Sequence, residues 1–135
     1  MKKLFLFIVC LFTFLVSGNA QSIFGKWKTI DDDTGEAKSI VEIYELDGKA
    51  YAKVVEILEK ENEDKTCEKC KGENKNKPIK GLVIINGLEQ DGDEWNGAKI
   101  LDPQNGKQYK CYITLEESDK LKVRGFIGFA LIGRT

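Results

Sequence analysis

Cys67 and Cys70, with two residues between them, form the pair in this 135-residue chain whose type and spacing offer the most chemistry. A Cys-x-x-Cys pair can close a local disulfide, exchange disulfides with a partner, or supply half of a tetrahedral zinc site. Exchange needs a stabilised thiolate, commonly at a helix N-terminus. Here the flanking residues Glu63, Asp64, Lys65, Glu68, Lys69 and Lys71 form a charged stretch with no helical period. Zinc needs four ligands, and outside the N-terminal apolar run only Cys111 remains, in a chain without histidine. A local disulfide is the favoured reading, and no metal site is expected; a lightly redox-active pair and a partial metal site are the alternatives. Cys111 shares an alternating apolar face with Tyr109, Ile113 and Leu115, so it reads as a buried small hydrophobe. A bridge from Cys111 to Cys67 or Cys70 is the competing arrangement.

The absence of histidine removes Ser-His-Asp and Cys-His catalysis, the commonest metal ligand, and any side chain that ordinarily titrates near neutrality. With no nucleophile motif and no phosphate-binding loop, the chain is expected to be neither an enzyme nor a cofactor protein. Asp31-Asp32-Asp33 offers carboxylates to a hard cation, but the remaining ligands of a calcium loop are missing, and the triplet reads as a solvated turn. Glu42, Lys53, Glu45 and Glu56 fall on expected strands as polar groups available to a lumen, without a recognisable acid–base pairing.

The scaffold that positions these residues begins after residue 20. Lys2 and Lys3, the apolar run 4–16, and the small residues ending at Ala20 make a secretory signal pattern cleaved before Gln21. The apolar run is too short to span a bilayer comfortably. The chain is therefore expected to be exported, to the periplasm or the extracellular space. Residues 21–135 then form one domain. Without Lys2 and Lys3, 19 basic residues face 22 acidic ones, a net charge of −3. A mildly acidic mixed surface argues against nucleic acid, which calls for a basic face, and no second apolar stretch suggests insertion into a membrane.

Short β-like runs separated by turn signals fill this domain. Strands are expected over 23–29, 37–46, 49–58, 79–86, 94–101 and 107–116, with hairpin signals at Asp47-Gly48 and Asp91-Gly92. Between them, 59–77 is a long charged loop carrying the cysteine pair, of a length usually associated with function or mobility. The run 121–135 is apolar on both alternation phases and is expected to seal the sheet onto the first strand. The whole reads as an antiparallel up-and-down meander of seven or eight strands, which closure into a barrel would relieve of exposed edges.

Gly25-Lys26-Trp27 at the start of the first strand, with arginines in the last, resembles the lipocalin and avidin-like barrels. There a Gly-x-Trp packs beneath a C-terminal basic residue at one end of the barrel. The resemblance implies structural roles for Gly25, Trp27 and either Arg124 or Arg134. Inward Leu121 and Val123 would turn Arg124 outward, which leaves Arg134 for the tryptophan. Asp32-Asp33-x-Gly35, Cys67-x-x-Cys70-x-Gly72, Gly81-Leu82, Ile100-Leu101-Asp102-Pro103, Gly106-Lys107-x-Tyr109, Leu121-Lys122-Val123-Arg124-Gly125 and Gly133-Arg134-Thr135 are scattered over the same span. Together with Gly25-x-Trp27 they resemble domain of unknown function family 2147, small secreted bacterial proteins. That resemblance implies a compact β domain of the bacterial envelope and carries over no catalytic residue. Similar chains often continue past Gly-Arg-Thr, so a shorter closing strand or a truncated chain is expected here. The functional expectation is a non-catalytic binding module for a small, partly apolar ligand or a peptide. The alternative is an envelope structural or protein-interaction module acting through its surface and the 59–77 loop.

Overall fold

A computed structural model describes residues 22–31 and 33–125, together with the backbone of 129–134. Eight strands follow one another: β1 (Gly25–Asp31), β2 (Ala37–Leu46), β3 (Lys49–Ile57), β4 (Val83–Asp91), β5 (Glu94–Leu101), β6 (Gln108–Glu117), β7 (Lys120–Arg124) and β8 (Phe129–Arg134). Each pairs antiparallel with its successor, and β8 pairs with β1, so the sheet closes into an up-and-down barrel. Closure leaves no edge strand to template association. Asp47-Gly48 joins β2 to β3 with φ of 52° and 78°, the mirror-image turn that suits the twist of a hairpin.

Alternation sets the interior. Trp27 and Thr29 of β1, Val41 and Ile43 of β2, Ala50, Ala52 and Val54 of β3, and Cys111 and Ile113 of β6 are all buried on the inner face. Two strands break the period. In β5 the register passes from Trp95↔Ile113 to Ala98↔Cys111, three residues against two, so Trp95 and Ile100 both reach the core. In β4 it passes from Leu88↔Ala50 to Asn86↔Tyr51, a bulge that lets Ile85 and Leu88 both turn inward. Bulges of this kind bend and re-aim strands at barrel corners.

Three expectations need correction. The strand expected over 79–86 begins only at Val83 and runs on to Asp91. Residues 79–82 instead turn, with Leu82 N–H donating to Ile79 (3.0 Å), and bond singly to Val54 of β3 through Gly81 N–H (2.6 Å) and the Leu82 carbonyl (2.9 Å). The run 121–135 is two strands: an up-and-down barrel must reverse once more after pairing with β6 before it can reach β1, and the reversal falls after Arg124. The first strand starts at Gly25, with Ile23 buried ahead of it.

One end of the barrel is plugged by aromatic residues. Trp27 is wholly buried, and its indole N–H donates to the Ile23 carbonyl at 2.8 Å. Phe24 meets Trp95 edge-on at 5.5 Å between centroids, with an interplanar angle of 75°, the geometry that aromatic quadrupoles favour. The chain enters at this end, and the tight β2–β3 and β4–β5 turns lie there. The longer β1–β2, β3–β4 and β5–β6 connections all lie at the other.

Candidate ligand-binding site

At that other end the barrel opens into a cavity of about 930 Å³. Its wall is aliphatic: Val41, Val54, Ile57, Ile79, Ile84 and Leu101 face it. Val41 and Val54 follow from strand alternation; Ile57 is brought opposite Ser39 by the β2–β3 register shift between Ile40 and Val41, and Ile79 comes from the turn ahead of β4. Inside the wall, among the described residues, sits a polar pair. Thr29 and Ser39 are directly opposed in β1 and β2, and their hydroxyl oxygens lie 2.7 Å apart. The Thr29 hydroxyl also reaches the Ser39 carbonyl at 3.4 Å. When Thr29 donates to that carbonyl, Ser39 must donate across the pair, and its own oxygen is left as an acceptor.

The mouth is charged. Lys38 Nζ and Asp31 Oδ2 are 2.7 Å apart. The hydrogen bond from Lys38, then the backbone N–H groups of Asp33 (2.8 Å) and Thr34 (3.2 Å), hold the Asp31 carboxyl below the usual carboxylate range. The same bond to Asp31 pushes the Lys38 ammonium up, against the cost of burial, and the carboxylates of Glu59 and Asp102 act in the same direction. Asp102 also anchors the β5–β6 turn, accepting the Gln104 N–H at 2.9 Å. Glu59 accepts from the Asn62 amide.

The long β3–β4 connection forms one side of the mouth, and it is more structured than a charged loop suggests. It carries 3-10 turns at Lys60–Asn62 and Gly72–Asn74 and a bridge between Thr66 and Pro78. Cys67 N–H donates to the Lys77 carbonyl (2.8 Å), and Asn76 N–H to the Cys67 carbonyl (2.9 Å). Cys67 and Cys70 are bonded to each other and both buried. Cys67 Sγ packs 3.5 Å from the Pro103 carbonyl oxygen of the β5–β6 turn. The disulfide thus sits at the seam between loop and barrel, and Lys65, Thr66 and Lys69 lie over the cavity.

Cys111 is the free cysteine among the described residues, buried in the core. Burial pushes its thiol up to about 12, because an apolar surrounding disfavours the thiolate. Alkylation requires the thiolate. For the chain from Gln21 onward, iodoacetamide at mildly alkaline pH should leave the folded protein unmodified. It should add once in denaturant without reductant, and three times after reduction. A Cys111-containing cross-link, or rapid labelling of the native state, would contradict this arrangement.

The other residues singled out in the sequence are dispersed over the barrel. Gly25 opens β1 opposite Ile43. Arg124 is exposed on β7 opposite Tyr112, away from Trp27. The backbone of Arg134 pairs with Trp27 across the β1–β8 seam; its side chain lies outside the described residues, as does Asp32. Glu42 and Lys53 face solvent, not the lumen, as a cross-strand pair at 3.7 Å, with Lys53 5.4 Å above the Tyr44 ring. Glu45 and Glu56 are likewise exposed. Asp31 caps its turn and pairs with Lys38. Thr29, Ser39 and Lys38 belong to no motif and do not stand out in the sequence. The period of β1 and β2 is nonetheless a usable signal, because Thr29 follows Trp27 and Ser39 precedes Val41 by two residues each.

A family model described as "Uncharacterized protein conserved in bacteria" (DUF2147) matches residues 25–135. Among solved structures, the chain is similar to one titled "Protein HP1028 from the human pathogen Helicobacter pylori belongs to the lipocalin family". The TM-score is 0.67 at 21% sequence identity, covering 77% of this chain and 71% of that one. That likeness concerns the fold. A search among curated proteins finds no match.

Proposed function

Because the chain belongs to the DUF2147 family and folds as a lipocalin-like barrel, we propose that it is a non-catalytic binding module that holds a small, partly apolar ligand in its open end. The observation that carries this reading is the cavity itself: among the described residues, an aliphatic interior with the Thr29/Ser39 hydroxyl pair, below a charged rim. Small-molecule sites characteristically combine a mostly apolar concave wall with a few placed polar groups, in volumes of about 300–1,000 Å³. The leader-like N-terminus and the Cys67–Cys70 disulfide support action outside the cytoplasm.

Titration with N-phenyl-1-naphthylamine, a neutral apolar dye that fluoresces when shielded from water, tests the reading. A saturable, one-to-one enhancement is expected. Ile57→Trp, at a half-buried wall position, should fill the mouth and weaken that binding about tenfold or more without unfolding the barrel, since one bulky group there displaces the dye's contacts. No saturable signal, or an identical titration in the variant, would overturn it.

A further inference from the structure

The site's charges point to a class of ligand. Among the described residues facing the cavity are five carboxylates and three ammonium groups. The ammonium with the clearest position at the mouth, Lys38, is already engaged at 2.7 Å by Asp31. Asp31 in turn is fixed as a carboxylate by two backbone N–H donors besides Lys38. Glu59 and Asp102 also act on Lys38, and their own identified partners are neutral amides, the Asn62 side chain and the Gln104 N–H. An anionic head group at the Asp31–Lys38 mouth would find Lys38 already engaged and further carboxylates around it, with Lys65 and Lys69 of the β3–β4 connection as the other ammonium groups among the described lining residues. A cationic head group would find carboxylates whose charge is incompletely balanced.

We propose that the cavity selects amphiphiles with an aliphatic body and a cationic head group, the body against Val54, Ile57 and Ile84 and the head at the Asp31–Lys38–Glu59 mouth. This rests on the binding-module reading and narrows it. The selectivity is local, because the chain from Gln21 onward carries a net charge of only −3 (19 basic against 22 acidic residues) and long-range steering of cations is correspondingly weak.

Displacement of bound N-phenyl-1-naphthylamine by dodecyltrimethylammonium and by dodecanoate, each below its micelle-forming concentration, compares two head groups on one tail length. The cation should displace the dye at about tenfold lower concentration, the scale of a charge interaction in a partly solvated site. Asp31→Asn keeps an oxygen to accept the Asp33 N–H while releasing Lys38, and should abolish or invert the preference. Lys38→Gln should keep or enlarge it. Equal or tighter displacement by dodecanoate in the unmodified protein, or a cation preference unchanged by Asp31→Asn, overturns the proposal and leaves the cavity reading intact. Failure of the dye to bind at all removes both.

Discussion

Trp27→Ala should destabilise the barrel by about 3–5 kcal/mol, the usual cost of deleting a large aromatic side chain from a core. Trp27 is wholly buried three residues into β1, and its indole N–H also satisfies a backbone carbonyl, that of Ile23. Its loss opens a void at the plugged end and strips Ile23 of that donor. The void cannot collapse easily, since β1 is held on both sides, by β2 and β8. Single domains have only about 5–15 kcal/mol in total, so the variant should unfold at a much lower urea concentration. Trp27→Phe separates the two contributions. It keeps most of the bulk and loses the N–H, and should cost less than the alanine. Arg124→Ala, on the exposed face of β7, should shift stability by no more than about 0.5 kcal/mol. Equal losses for Trp27→Ala and Arg124→Ala would mean that the closed end is not a plug.

The barrel is legible in the sequence because hairpin signals and period-2 alternation are local properties of the chain. Asp47-Gly48 and Asp91-Gly92 sit at observed turns, and β2 and β5 carry the boundaries that their β-branched and aromatic runs imply. Where expectation and structure differ, the cause is not local. Residues 79–86 are apolar on both phases because 79–82 form a turn ahead of β4, and β4 shifts register against β3 between Ile85 and Val83, which depends on the partner strand. The run 121–135 gives no sign of its own reversal; that is imposed by the need to pair first with β6 and then with β1. The site is harder still. Thr29 and Ser39 are ordinary hydroxyl residues ten positions apart until β1 and β2 pair in the observed register. Only then do two hydroxyls meet inside an aliphatic wall. Lys38 gains meaning only from Asp31 across the β1–β2 turn and from Glu59 and Asp102 on two other connections. Charge composition could not show this, because the site depends on which lysine is already paired.

Gly106→Ala should be the most disruptive substitution at the open end. A Cβ at Gly106 would lie 2.0 Å from the Lys69 carbonyl oxygen, 2.4 Å from its carbon and 2.9 Å from the Cys70 nitrogen, all backbone atoms of the disulfide loop. Gly106 also holds φ at +70° while its N–H closes the turn onto the Asp102 carbonyl at 2.8 Å. The left-handed conformation alone costs a non-glycine residue about 1–2 kcal/mol. Gly92→Ala measures that contribution separately, since Gly92 has φ of +61° and nothing near its missing Cβ. The excess cost of Gly106→Ala must come from the collision, and backbone cannot be moved aside as a side chain can. Either the β5–β6 turn opens or the loop lifts away from it; the turn is tied to Asp102, so the loop should yield. We expect a loss of about 3 kcal/mol or more, the size of a severe core or strain effect, with faster proteolysis at the lysines of the 59–77 loop. Dye binding should weaken too, because Lys69 and Pro103 border the cavity from the two sides of the seam. If Gly106→Ala cost no more than Gly92→Ala, with loop proteolysis unchanged, the seam would not be holding the loop over the mouth. The disulfide's position there would then carry no consequence for the site.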